Sequence, residues 1–372
     1  MGQLNIQKFL RSSENKLEDL TSKYALIIKR HKEFPNLVLF KYDSIESPMA
    51  TTLCQEARGI ILNEADNWNI VAFPYMKFFN YGESLAAHLG NGKRVYEKLD
   101  GSLIILYHYN NKWQVATSGT PDASGEVKGF NFSFKDLFWK VFNELEYSVP
   151  SERYKQYTFM LELCTPYNKI VVQHKENKLV LHGVRNNETM KEEYPELFAK
   201  ELGFDCVKSY DYKTIDELET SNEITSLSPI EFEGFVVVDE NFNRIKVKSQ
   251  KYISLSHIHD SFSERRVVEL IQNGEKSEFL SYFPEFTEIF EKIKTLYENH
   301  ISSIEKAYSS IKDIPDQKEF ALKAIKYPFS GALFTLRKKK DLSAKDIMKE
   351  VPAKKVLEMI GVKEKAYAEA EQ

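Results

Sequence analysis

The sequence predicts an α+β protein, a strand-rich body followed by an all-helical tail. Three observations carry that reading. Short apolar and β-branched runs recur through the first ~255 residues, separated by Asn, Asp, Glu and Lys. After about Asp260, apolar residues fall instead at spacings of three and four, the mark of helices with one buried face. The length of 372 residues suits two domains, expected at 1–259 and 260–372, and 42% hydrophobic with 28% charged residues suits a globular chain.

Taken in order, residues 103–109 and 112–117 flank Asn110 and Asn111 and read as a β-hairpin. Residues 157–163, 169–174, 178–184, 232–239 and 244–249 continue the strand pattern. Residues 175–178 and 239–243 are expected as hairpin connections. In the tail, Val267, Val268, Leu270 and Ile271 open a helical stretch. Phe286, Ile289, Phe290, Ile293, Leu296, Tyr297, Ile301, Ile304, Tyr308 and Ile311 then mark one face of a long amphipathic helix. Pro315 ends it. Asp316 and Glu319 have the spacing of a helix cap for a segment through Lys326, and another helix is expected from Ser343 toward Glu350.

Several classes are excluded. No run approaches the ~18 apolar residues of a membrane span. The N-terminus lacks the apolar core of a secretory signal. Ile6 stands where myristoylation at Gly2 would need Ser or Thr. Cys54, Cys164 and Cys206 are scattered, which argues for a reducing, intracellular compartment rather than a disulfide framework. His257 and His259 lack a third ligand at metal spacing and read as a domain-junction loop. Residues 329–365 hold ten basic against five acidic side chains, within a chain of net charge −4. Such a basic end fits either a polyanion grip or a solvated helix face.

Lys98 stands just ahead of an apolar strand, followed by Leu99, Asp100 and Gly101. A lysine is a nucleophile only when uncharged, which costs about 4 kcal/mol near neutral pH. Burial and neighbouring cations can both supply that shift. Asp100, two residues on, faces the same side and can orient the amine, while Gly101 lets a nucleotide approach the backbone. By itself this four-residue pattern also fits an ion pair on an edge strand. Lys246 and Lys248 alternate with Ile245 and Val247, so both face one side of a strand, where an anion between them would offset their repulsion.

Lys98-Leu99-Asp100-Gly101 resembles the acceptor motif of the covalent nucleotidyltransferases. Glu162 within Leu161-Glu162-Leu163, the segment Phe232-Glu233-Gly234-Phe235, and Ile245-Lys246-Val247-Lys248 follow in that superfamily's order. Glu56-Ala57-Arg58-Gly59-Ile60, Phe73-Pro74-Tyr75-Met76-Lys77-Phe78-Phe79-Asn80, Thr165-Pro166-Tyr167-Asn168-Lys169-Ile170-Val171 and the pair Lys248 and Tyr252 resemble, more narrowly, the bacteriophage T4 RNA ligase 1 family.

The resemblance implies a nucleotidyltransferase domain built on antiparallel sheets with helices, then an all-helical C-terminal domain for RNA binding. It implies ATP-dependent joining of RNA 5′-phosphate and 3′-hydroxyl ends through lysyl-AMP and RNA-adenylate, with cleaved tRNA anticodon loops as the family's substrate and a cytoplasmic setting, the host's cytoplasm if the protein is viral. Lys98 would take AMP, supported by Asp100, Glu162, Glu233, Lys246 and Lys248. Tyr42, Arg58, Lys77, Gly101, Glu162, Lys246, Lys248 and Tyr252 would meet ATP, though a core role suits Tyr252 equally. Glu233 would hold Mg²⁺, with Mn²⁺ as the alternative.

Where the family presents a basic residue after the hairpin, this chain has Ser118. The helical domain's acid would be Glu275 or Glu278, and Leu336 to Lys340 would contact phosphates. The competing readings are a DNA ligase, an mRNA-capping guanylyltransferase, or a non-catalytic RNA-binding protein of the same fold. The first two usually carry a β-barrel where this chain reads as helices.

Overall fold

The computed structural model describes residues 3–12, 16–260, 262–274, 276, 279–280, 283–339 and 341–363. The chain forms two compact units, one ending at Ser256 and the other beginning at His257. Its architecture is α+β.

In the first unit, β1 (Leu26–Arg30), β2 (Leu37–Tyr42), β3 (Arg58–Asn63) and β4 (Asn69–Ala72) form an antiparallel meander. The chain then places β5 (Phe79–Asn80) and β6 (Arg94–Lys98) in a second sheet. A third sheet takes β7 (Ser102–Tyr109), β8 (Lys112–Thr117), β9 (Tyr157–Cys164) and β10 (Lys178–Asn186), with the short β11 (Glu192–Glu193) and β12 (Asp205–Cys206) beside β10. Finally β13 (Ser209–Tyr210), β14 (Gly234–Val238) and β15 (Arg244–Lys248) return to the second sheet, whose order is β13-β6-β14-β15-β5.

Strict alternation decides which face each strand buries. On β2, Val38 and Phe40 pack with α1 (Asn5–Ser12), α2 (Lys16–Tyr24) and α3 (Thr52–Glu56), while Leu37 and Leu39 meet Ile105, Tyr107 and Ala116 of the third sheet. The outer face of that sheet is covered by α4 (Phe134–Glu144) and α5 (Pro195–Leu202) through Leu137, Phe138, Val141 and Ala199. The result is two sheets stacked face to face between helical layers. In the second sheet, Val95, Phe235, Val237, Ile245 and Val247 all fall on one face, packed with α6 (Ile215–Glu219) and α7 (Asn222–Thr225). The opposite face carries Lys98, Lys246 and Lys248 together with Tyr96, Val236 and Val238, the last three clustered with Val180 and Val207.

The expected hairpins at 110–111 and 239–243 form. Asn110 and Asn111 have φ of +49° and +59°, the left-handed pair a two-residue hairpin needs. Asp239 Oδ1 accepts from the amides of Asn241 and Asn243 in the other turn. Residues 169–174 do not form the expected strand, and no hairpin follows at 175–178. Their backbone turns aside because the amides of Val171 and Val172 donate to Asp100 rather than to a ladder. The strand pattern also passed over α1 to α7.

His257 and His259 belong to α8 (Gln250–Asp260) rather than a loop. In the second unit, α9 (Glu264–Asn273) packs against α10 (Thr287–Ile311), which buries Phe290, Ile293, Tyr297, Ile301, Ile304 and Ile311. Asp316 caps α11 (Gln317–Ala324), which stops two residues short of the expected Lys326. α12 (Ser330–Lys338) follows. A Ser343 and Asp346 capping box starts α13 (Ala344–Glu350), and α14 (Ala353–Met359) comes after it. Glu275, Glu278 and Lys340 lie outside the described residues. Among those described, no helix is long and apolar enough to cross a membrane.

Candidate active site

The lysine-bearing face of the second sheet is organised in rows. In one row, Gly234 of β14 lies between Lys98 of β6 and Lys248 of β15. In the next row on that face, Val236 lies between Tyr96 and Lys246, with Asn80 of β5 beyond Lys246. A Cβ on Gly234 would sit 2.3 Å from the Val247 carbonyl oxygen, so only glycine permits this close pairing. Glu233, one residue earlier and only 2% exposed, bridges the row: Lys98 Nζ donates to its Oε2 at 2.7 Å and Lys248 Nζ to its Oε1 at 2.9 Å.

This triad sets the charges. Burial works against ionisation of Glu233, but Lys98 and Lys248 outweigh it and hold the carboxyl below its usual range. Burial likewise favours a neutral Lys98. Glu233, then Glu162 and Asp100, overcome that influence and raise its pKa. The expected depression of Lys98 by neighbouring cations is therefore reversed, because an acid lies within hydrogen-bond distance. The depressed amine is Lys246. Burial, Lys98, Arg58, Lys77 and Lys248 push it well below the usual lysine range, and it pairs with no carboxylate among the described residues.

Asp100 is 4% exposed and does not touch the amine as expected of an orienting acid. Its Oδ2 accepts from the amides of Val171 at 2.8 Å and Val172 at 2.5 Å, and its Oδ1 from Tyr252 Oη at 2.9 Å. Tyr252 is a core residue, packed with Val171 and Val172, and reaches the site through this bond and through its ring, whose centre lies 5.1 Å from Lys248 Nζ. Asn168 braces the same loop by donating to Ser102 Oγ at 2.9 Å and the Leu163 carbonyl at 2.7 Å. Gly101 has a structural reason to be glycine, since a Cβ would meet the Leu163 oxygen at 2.5 Å.

Arg58, Lys77 and Tyr42 assemble on the same side. Lys77 Nζ lies 5.1 Å from the Tyr42 ring centre, while Arg58 and Lys246 lie 5.4 and 4.9 Å from that of Phe78. Arg58 Nη1 and Asn80 Oδ1 are buried with no hydrogen-bond partner. Both atoms are left with hydrogen-bonding capacity that a polar group entering between the lysines could use.

The profile of an RNA ligase family, the T4 RNA ligase 1 type, matches residues 56–252, a span that holds every one of these groups but Tyr42. The chain belongs to this RNA ligase family. Among proteins it resembles is a putative bifunctional polynucleotide kinase/RNA ligase of Autographa californica nuclear polyhedrosis virus, 30% identical over 72% of this chain and 40% of that protein. The chain thus corresponds to well under half of that relative's length. An RNA ligase of Rhodothermus phage RM378 is 25% identical over 73% of this chain and 78% of its own. Among solved structures, an archaeal ATP-dependent RNA ligase aligns at a TM-score of 0.48 and 14% identity, over 78% of this chain and 74% of that one.

Within this family member, His182 escaped the sequence reading, and Tyr75 entered it only as part of the segment from Phe73 to Asn80. His182 sits at a bulge, where Leu181 pairs with Leu161 and Gly183 with Met160, so His182 is the extra residue. Its Nε2 lies 3.3 Å from Glu162 Oε2 without hydrogen-bond geometry. Tyr75 Oη donates to the His182 carbonyl at 2.7 Å, lies 3.1 Å from its Nδ1, and fits only because residue 183 is glycine. A bulge leaves no mark in apolar periodicity, so His182 was not singled out.

Ser118 is buried, its Cα 2.9 Å from where a Gly59 Cβ would stand, and brings no cation to the site. Lys246, Arg58 and Lys77 are the cations close to one another there. Glu56 is structural: it accepts from the amides of Asn5 and Ile6 at 3.0 and 2.9 Å and anchors the start of α1. Arg337 is likewise engaged within the helices, by the carbonyls of Ile314 and Pro315, and Leu336 is buried; Lys338 and Lys339 remain exposed. Glu233 does not fit the expected role of metal ligand, because a cation would share it with two ammonium groups. No cluster of three metal-binding side chains occurs among the described residues.

Proposed function

We propose that this family member is an ATP-dependent RNA ligase and that Lys98 is its AMP acceptor. The observation that carries this reading is the unneutralised cationic surface of Lys246, Arg58 and Lys77 beside a lysine held by a single acid. ATP phosphates are the ligand that such a surface suits. Their arrival would draw Lys248 and Lys246 toward the anion and loosen the hold of Glu233 on Lys98. A divalent cation, Mg²⁺ or Mn²⁺, would enter on the ATP phosphates and add charge neutralisation there.

Lys98 Nζ, having given up a proton, would attack the α-phosphorus. A P–N bond forms, the bond to the bridging oxygen breaks, and pyrophosphate leaves. An RNA 5′-phosphate oxygen then takes the AMP, breaking the P–N bond and returning a proton to Lys98. Last, an RNA 3′-hydroxyl attacks the activated 5′-phosphorus and expels AMP. Glu162, close to the bulged His182, suits the nucleoside. Residues from His257 onward are proposed to hold RNA, with cleaved tRNA as a substrate and a reducing, cytoplasmic setting consistent with three free cysteines.

The test is incubation with α-labelled ATP or GTP, a divalent cation and denaturing electrophoresis. Label from ATP that vanishes in Lys98→Ala supports the reading. Label from GTP alone indicates a capping enzyme, and no label refutes covalent transfer.

A further inference from the structure

The connection between β8 and α4 starts at Ser118, against Gly59 and next to Arg58, and carries an aromatic group that the steps above leave unused. A tight turn is closed by Val127 N donating to the Phe132 carbonyl at 3.0 Å and Phe130 N to the Val127 carbonyl at 2.9 Å. Gly129, at φ +84°, supplies the left-handed residue this turn requires. The turn projects Phe130, which is 39% exposed. Its ring stacks on Phe132 at 5.2 Å and 27°, and Tyr167 buttresses both rings edge-on at 5.2 and 5.8 Å. Lys140 Nζ lies 5.1 Å from the Tyr167 ring centre and 3.9 Å from Glu144, and Lys128 is exposed on the turn itself.

Tyr167 precedes Asn168, whose side chain braces the loop that bears Asp100 and Gly101. The aromatic group is therefore tied at one end to the Arg58 side of the site and at the other to the acceptor-lysine loop. A held, partly exposed ring with Lys128 on its own turn and Lys140 over the supporting tyrosine has the chemistry that stacks unpaired bases and grips their phosphates.

We propose that Phe130, supported by Phe132, Tyr167 and Lys140, is a stacking platform for an unpaired base of the RNA strand that enters the active site. The proposal rests on the ligase reading for its partner, and it assigns the platform to binding rather than to chemistry.

Full-length Phe130→Ala, Phe130→Trp and Lys140→Ala proteins test it. Lysyl-AMP formation from labelled ATP should match wild type in all three. With single-stranded RNA, KM should rise roughly tenfold in Phe130→Ala with kcat unchanged, and Phe130→Trp should restore it. Lys140→Ala should reduce the salt dependence of binding. Unchanged KM in Phe130→Ala overturns the proposal, as does failure of Phe130→Trp to restore a raised KM. RNAs with one abasic position, walked inward from the 5′-phosphate or from the 3′-hydroxyl end, locate the stacked base on the wild-type protein. A single sensitive position on either strand supports the platform and names the strand, whereas uniform behaviour overturns it even if Phe130→Ala proves unstable. If wild type forms no adduct, the ligase reading fails separately, and anisotropy of labelled RNA still tests the platform.

Discussion

Two buried triads share one plan and differ in their cations. Glu233 lies between Lys98 and Lys248, and Glu192 lies between Arg185 and Arg244. The arginine triad is nearly closed to solvent, its side chains at 8 to 10% exposure, and Arg244 grips Glu192 with two nitrogens at 3.0 and 2.6 Å. Arg185 is stacked on Phe73 at 4.2 Å and Arg244 on Tyr75 at 4.0 Å. The lysines are twice as exposed, at about 20%, and each makes a single bond to the acid. A guanidinium stays charged and keeps its geometry, whereas an ammonium can lose its proton and swing to another anion. One triad is built to hold and the other to come apart.

The largest effect expected from that contrast is chemical. Lys98→Arg retains the charge beside Glu233, yet the adenylate adduct should fall by more than about 1,000-fold, as it should in Lys98→Ala. Gel autoradiography with labelled ATP measures it. An adduct that persists in Lys98→Arg would mean that another residue is the acceptor, with Lys246 the first to examine.

Next comes stability. Glu192→Ala leaves two buried guanidinium groups without their acid and should cost about 3–5 kcal/mol, read from denaturant midpoints. Glu192→Gln should recover part of it. Lys98→Ala, which leaves Glu233 with Lys248, should cost less. A larger loss from Lys98→Ala than from Glu192→Ala would remove the distinction between the two triads.

How much of this was legible in the sequence depends on how far each feature reaches along the chain. Lys98, Lys246 and Lys248 stood out as charged residues beside or within apolar strands, and the motif resemblance singled out Glu233 and decided the reading of Lys98. The direction of the Lys98 shift was not legible, since it depends on an acid 135 positions away landing 2.7 Å from the amine. Residues 169–174 are apolar enough for a strand, but two of their amides serve Asp100. Short apolar runs do not show where their amides point. The helix Phe134–Glu144 is a different matter: Leu137, Phe138, Val141 and Phe142 have helical spacing and Ser133 with Asp136 forms a capping box. That signal was present and was overshadowed by the strands around it.

A smaller effect should appear with pH. Glu233 is held below its usual range when folded, so its contribution to stability is present above the unfolded value near 4.5 and disappears as pH falls through the folded value. Lys98 is shifted upward, so its contribution is present below about 10.5 and disappears as pH rises through the folded value. Wild-type stability should thus weaken at both ends of that window. Glu233→Gln should flatten the acid limb and lower the plateau. An acid limb of unchanged slope in that variant would show that other carboxylates control it.

The smallest effect expected is at Tyr252, where the contrast between holding and releasing can be tested by one atom. Tyr252→Phe removes a hydroxyl that donates to Asp100 Oδ1 at 2.9 Å and leaves the ring packed with Val171 and Val172. Asp100 keeps two amide donors, so the loss should be about 1.5–3 kcal/mol, the range for a bond to a charged acceptor, or less. Because Asp100 is bonded to backbone rather than to Lys98, the adduct should still form, more slowly, as the loop that follows the lysine is held less firmly. Asp100→Asn would test the same point more severely, since its amide cannot accept from all three donors at once. Should Tyr252→Phe abolish the adduct while the fold persists, Tyr252 would have to act on ATP directly rather than through Asp100.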